Sequence, residues 1–174
     1  MKEPSFPIPL SLQKIKTWNS AVPRVSSWVG SLVNLQQLCF QVGRIGQEDL
    51  CILGGLRALL IMDLQQVRKI SGDKRFTVSG AVGFRCLRQF FYHTYDRMDL
   101  VFEVGSMPKL EKLVIILDGV VEADTLDIGI GNLPCLLTIK CVVHGDDGIV
   151  GAIKIPMERA VTRHPNHPTL LFTH

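Results

Sequence analysis

The sequence predicts an α/β solenoid, a horseshoe of about six irregular repeats with parallel strands on the concave face and loops or short helices on the convex face. Two observations carry this expectation. Apolar residues recur in the frame apolar-x-x-apolar-x-x-apolar-x-apolar, and these frames return at near-regular intervals along the chain. The composition permits it, since 47% of the 174 residues are hydrophobic and 20% charged, enough to bury a core and unlike a disordered chain.

The frames begin near residues 9, 32, 53, 84, 107 and 133. All but one of the intervals fall within the repeat length of leucine-rich repeats, roughly 20–29 residues. The first frame is degenerate, Pro9, Leu12, Ile15 and Thr17. The second holds Leu32, Leu35, Leu38 and Phe40, and the third is read as Leu53, Leu56, Leu59 and Ile61. Then come Phe84, Leu87, Phe90 and Tyr92, followed by Met107, Leu110, Leu113 and Ile115, and by Leu133, Leu136, Ile139 and Cys141. In each frame the final apolar-x-apolar pair forms a short strand with both side chains inward. One such unit cannot bury its apolar face alone, so neighbours stack and share a core.

Between the strands, Gln47 to Leu53 and Glu122 to Asp127 are short helical candidates, and Gly54-Gly55, Gly105 and Gly129 to Gly131 are turns. The longest interval, from Leu53 to Phe84, contains Ser71-Gly72-Asp73-Lys74-Arg75 and Ser79-Gly80, read as a loop insertion between Lys69 and Val82. Asp146-Asp147, beside Gly145 and Gly148, reads as a plain turn. A helix is expected to begin at Pro156 and end near Arg163, before Pro165. Residues 145–174 then form a C-terminal cap, and the whole chain is one domain.

Chemistry finds little footing. His164 and His167 lack the Cys or carboxylate partners of a structural zinc site. Cys141 takes an inward strand position, which removes it from a nucleophile pair with His144. Gly129-Ile130-Gly131 lacks the third glycine of a dinucleotide fingerprint. No catalytic, cofactor-binding or metal-binding residue is assigned, and the chain is read as non-enzymatic. The 19 Lys and Arg against 16 Asp and Glu are dispersed, which argues against nucleic acid. The apolar stretch Leu50 to Met62 is too short to span a membrane. Five cysteines at irregular spacings are no disulfide framework and fit a reducing, cytoplasmic setting.

The residues alternating with the inward pairs are expected on the concave face. They give a protein-binding surface of Trp18, Gln41, Leu60, Met62, Phe91, His93, Val114, Ile116 and Lys140. Its apolar centre, Leu60, Met62, Phe91, Val114 and Ile116, is of the kind that marks a protein interface. The competing expectation is that these strands are covered, by the insertion or by another domain.

The run Trp28-Val29-Gly30-Ser31-Leu32-Val33-Asn34-Leu35-Gln36-Gln37-Leu38 resembles the leucine-rich region of plant intracellular nucleotide-binding disease-resistance proteins, those of grasses in particular. Met107-Pro108-Lys109-Leu110-Glu111-Lys112-Leu113 and His164-Pro165-Asn166-His167-Pro168-Thr169-Leu170 resemble their last repeats. The resemblance implies a defence role, with a pathogen effector or a receptor's nucleotide-binding domain as protein partner. No G-x-x-x-x-G-K-[ST] loop occurs, so the chain resembles a partial relative that supplies the recognition surface. A leucine-rich scaffold or ubiquitin-ligase adaptor is the other binding role weighed.

Overall fold

The computed structural model describes residues 9–67, 76–95, 100–118 and 127–174, the side chains of 18–20 excepted. Seven strands form one parallel sheet: β1 (Lys14–Val22), β2 (Gln37–Val42), β3 (Ile61–Gln66), β5 (Gln89–Thr94), β7 (Lys112–Asp118), β8 (Thr138–His144) and β9 (Thr169–Thr173). They lie side by side in that order. Two further strands, β4 (Phe76–Val78) and β6 (Leu100–Phe102), pair parallel in a small second sheet. Among the described residues there are two α-helices, α1 (Gln47–Gly54) and α2 (Asp147–Arg163). Mostly parallel strands with two helices make an α/β repeat fold.

A recurrent turn sets up each strand. Leu35 donates its N–H to the Leu32 carbonyl, and the same bond joins Leu59 to Leu56, Leu87 to Phe84, Leu110 to Met107 and Leu136 to Leu133. One residue beyond four of these turns a carbonyl accepts two N–H groups from the next unit, as Gln36 does from Leu60 and Ile61, Leu60 from Arg88 and Gln89, and Glu111 from Leu137 and Thr138. These bonds satisfy the turn backbone and fix the register of the strand that follows. Ile15, Leu38, Met62, Phe90, Leu113, Ile139 and Leu170 are therefore level with one another. From Leu38 to Ile139 all of them are buried.

That register corrects the third frame. Leu56 opens the same turn as Leu32, and Met62 and Leu64 take the places of Leu38 and Phe40. Leu53 instead closes α1 as a buried residue. Leucines three residues apart fit both phases, but the phase that turns Ile61 inward also turns Asp63 inward, and a lone carboxylate in an apolar core is costly. Starting the third frame at Leu56 also places it more evenly between Leu32 and Phe84 than Leu53 would.

Helix α1 forms as expected over Gln47–Leu53, with Asp49 at its start. The buried Asp49 carboxylate accepts the N–H of Gly46 at 2.8 Å and that of Val25, from the preceding unit, at 2.9 Å. Part of the expected insertion is strand. Residues 68–75 lie outside the described residues, but Thr77 in β4 exchanges two hydrogen bonds with the Gln47 side chain, which seats β4 against α1. Two glycines permit the close contact beside it. Gly83 has φ +111°, and a Cβ there would stand 2.1 Å from the Gly54 carbonyl oxygen. The helical candidate Glu122 to Asp127 falls outside the described residues except for Asp127, which is irregular.

The C-terminal segment departs from expectation twice. Helix α2 begins at Asp147, because Asp146 is its N-cap and accepts the Ile149 N–H at 3.0 Å. Pro156 therefore lies inside the helix. An internal proline costs about 3 kcal/mol, and burying Ile153 and Met157 one turn apart, each worth roughly 1.5–3 kcal/mol, offsets it. The H-P-N-H-P segment forms a turn closed by the His167 N–H on the His164 carbonyl and is followed by a strand, β9, that was not expected. His164 is only 1% exposed and is level with Leu133, at the first position of the same turn. It accepts the Asn166 N–H on Nδ1 and donates from Nε2 to the Leu133 carbonyl, both at 3.1 Å. A histidine thus takes a leucine's place by satisfying its polar atoms with backbone.

Candidate recognition face of the sheet

The sheet has one packed side and one open side. In β3 and β5 the packed side holds Met62, Leu64, Gln66, Phe90, Tyr92 and Thr94, all buried, while Ile61, Asp63, Gln65, Gln89, Phe91 and His93 are partly exposed on the other. Strand alternation and the register place the open-face residues in rows. One row runs Lys16, Cys39, Asp63, Phe91, Val114, Lys140 and Leu171. The next runs Gln41, Gln65, His93, Ile116, Val142 and Thr173.

Of the residues expected on this face, Gln41, Phe91, His93, Val114, Ile116 and Lys140 are brought together there. Val114 is tightly covered by its neighbours, at 4% exposure, and Lys140 is exposed. Trp18 lies in β1, and its side chain is outside the described residues. Met62 and Leu60 are elsewhere. Met62 is fully buried in the core, and Leu60 is an exposed residue ahead of β3. Both were misplaced by the frame that began three residues early. Their replacements are Asp63 and Gln65, so β3 brings polar side chains to a face whose neighbouring strands keep the apolar Phe91, Val114 and Ile116.

Side chains from β2 to β8 are linked by hydrogen bonds and one stacked pair of rings. The Gln41 amide donates to Gln65 at 2.7 Å, and the Gln65 amide donates to the Tyr95 hydroxyl at 2.8 Å. The Tyr95 ring stacks on His93 with centroids 4.7 Å apart. Nε2 of His93 meets the Asp118 carboxylate at 2.6 Å, and Nδ1 of His144 meets its other oxygen. Burial alone would raise the Asp118 pKa, but the hydrogen bonds and charges of the two histidines outweigh it and hold the carboxyl below its usual 3.8. Asp63 differs. Burial pushes it above 3.8, and the nearby His93 only partly opposes this.

Sequence reasoning missed Asp63, Gln65, Tyr95, Asp118 and His144. Asp63 and Gln65 were readable from the alternative phase of the leucines. Tyr95 and His144 come just where strand alternation was no longer followed, and the meeting of His144 with Asp118 needs the lateral order of the strands. The two buried cysteines lie on opposite sides of the sheet, Cys141 in the core and Cys39 in the row of Asp63. Cys141 is buried and its thiol is pushed up to about 12 by burial. The Cys39 thiol is also raised, chiefly by burial. Among the described residues no group of three or more His, Cys, Asp or Glu is placed to hold a metal ion. No helix among them is long and apolar enough to cross a membrane.

No curated protein matches the chain. A family model described as a leucine-rich repeat region matches residues 1–170. Such regions are in general protein-interaction modules without catalysis. With its level strands and nearly the whole of its length matched, the chain belongs to the leucine-rich repeat region family.

Proposed function

We propose that the chain is a solenoid of seven leucine-rich units whose open sheet face is concave and captures a protein partner. The biological setting we propose is cytoplasmic plant defence, with the chain serving as the recognition part of a nucleotide-binding disease-resistance receptor. Its partner is then a pathogen effector or the receptor's own nucleotide-binding domain. The observation that carries the reading is the asymmetry of the sheet. One side is sealed in the core, whereas the other offers Ile61, Phe91 and Ile116 among hydrogen-bonded polar side chains. Such mixed aromatic, aliphatic and polar surfaces suit protein interfaces. The defence setting rests on the resemblance of the Trp28–Leu38 and His164–Leu170 runs. Five free cysteines, of which Cys51 and Cys135 are exposed, favour a reducing compartment.

The test is capture from grass leaf extract with the wild type and with Phe91→Glu and Ile116→Lys, whose side chains are partly exposed. A specific partner held by the wild type should be lost with both variants, while Val104→Glu, on an 81% exposed residue away from the face, should keep it. Equal capture by all four proteins, with unchanged far-ultraviolet circular dichroism, would remove the open face from the reading.

A further inference from the structure

The open face carries two carboxylates in very different states. Asp118 is held between His93 and His144. Asp63, two strands away, is half-buried, and among the described residues it has no hydrogen-bond or ion-pair partner. A carboxylate that burial disfavours and that His93 only partly offsets is a standing cost to the free protein. It becomes favourable once a cation arrives.

The surroundings specify which cation and what flanks it. Phe91 is level with Asp63 on the neighbouring strand. Its ring already draws a cation, since the Lys112 ammonium stands 5.6 Å from its centroid. A guanidinium suits such a place because it is planar, pairs with a carboxylate through two N–H groups and stacks on an aromatic ring. Along the same row, Lys16 lies two strands from Asp63 on one side and Lys140 three strands away on the other. At about 4.8 Å per strand these are roughly 10 Å and 14 Å from Asp63. The row thus reads plus, minus, plus, with Phe91 and Val114 between Asp63 and Lys140.

We infer that the open face receives a protein segment presenting one arginine to Asp63, an apolar residue to the partly exposed Phe91, and a carboxylate to each of Lys16 and Lys140. This rests on the reading of the open face as the interface and adds the chemistry of the partner. An extended segment repeats side chains on one side about every 6.6 Å. Acid, arginine, apolar and acid at alternate positions therefore match the row, the long Lys16 side chain spanning the small excess.

The probe is the peptide acetyl-Glu-Ser-Arg-Ser-Leu-Ser-Glu-amide, titrated into the 15N-labelled chain. Shifts are expected at the amides of Asp63, Phe91 and Val114. Replacing the arginine by citrulline, or using Asp63→Asn, should weaken binding by about tenfold or more. Lys140→Glu should weaken it as well. Asp63→Asn should leave the urea midpoint unchanged or raise it, because it removes a half-buried charge that His93 only partly offsets. A fall in that midpoint would make Asp63 a structural residue and overturn the inference. If the citrulline peptide binds equally well at the same amides, the arginine is wrong and the open face stands as the interface. Shifts confined to α1 or α2 would overturn both readings, and no shift at millimolar probe would overturn the inference alone.

Discussion

Met62→Ala, set against Leu60→Ala, decides which phase β3 presents to the core. Met62 is fully buried, level with Leu38 on one side and Phe90 on the other. Truncation removes three heavy atoms beyond Cβ, worth roughly 0.8 kcal/mol each in transfer, and leaves a gap between two neighbours fixed by their own turns. A loss of about 3 kcal/mol follows, inside the range of roughly 2–5 kcal/mol for such truncations. For a chain of this length the melting temperature should fall by roughly 6–12 °C. Leu60, 36% exposed ahead of the strand, should cost under about 1 kcal/mol. Urea unfolding followed by far-ultraviolet circular dichroism measures both. If Leu60→Ala proves the costlier change, or Met62→Ala costs less than about 1 kcal/mol, β3 faces the other way and Asp63 leaves the open face.

Gly83→Ala should cost more than about 2 kcal/mol, since it combines φ +111° with a Cβ 2.1 Å from the Gly54 oxygen; Gly131→Ala, with nothing within 4 Å, should cost under about 1 kcal/mol, and equal midpoints would contradict the close contact. In acid the two carboxylates of the face act with opposite sign. Asp118, lowered in the folded state, contributes stability that is present above pH 3.8 and lost as pH falls through its folded pKa, so Asp118→Asn should flatten the acid limb of stability against pH. Asp63, raised in the folded state, takes stability away as pH climbs from 3.8 through its folded pKa, so Asp63→Asn should gain over the wild type above that window; limbs parallel to the wild type in both variants would refute the assignment. Iodoacetamide at pH 8 should modify the exposed Cys51 and Cys135 quickly and leave Cys141 intact until unfolding, which peptide mass spectrometry resolves; rapid labelling of Cys141 would place it outside the core.

Most of the fold was legible because the turn and strand are local. The frames at residues 9, 32, 84, 107 and 133 needed only the leucine spacing, and their strands lie level as that spacing requires. The third frame slipped because leucines at 53, 56 and 59 satisfy two phases, which the charge of Asp63 and the spacing from Leu32 to Phe84 distinguish. At the C-terminus, Pro156 outweighed the capping signal of Asp146 ten residues earlier. The strand after His164 was hidden because a buried histidine imitates leucine only through backbone hydrogen bonds, which no hydrophobic pattern records. The open face was legible in part. Phe91, His93, Val114 and Ile116 follow from alternation within a strand, but the grouping of Gln65 with Tyr95, and of Asp118 with two histidines, depends on strands lying side by side.

The unbroken lateral order of the main sheet also governs how the molecule meets mechanical load. A pull that separates β1 from β9 across the sheet runs along the inter-strand hydrogen bonds, so the strand interfaces bear it in series and each feels the whole force. Such an arrangement is as strong as its weakest seam. The seam between β1 and β2 slips in register between Thr17 and Val22, whereas β2–β3, β3–β5 and β5–β7 run without interruption. Tension should therefore open the first seam before the others and release β1 as slack, sparing the rows that hold Asp63 and Asp118 until the force rises further.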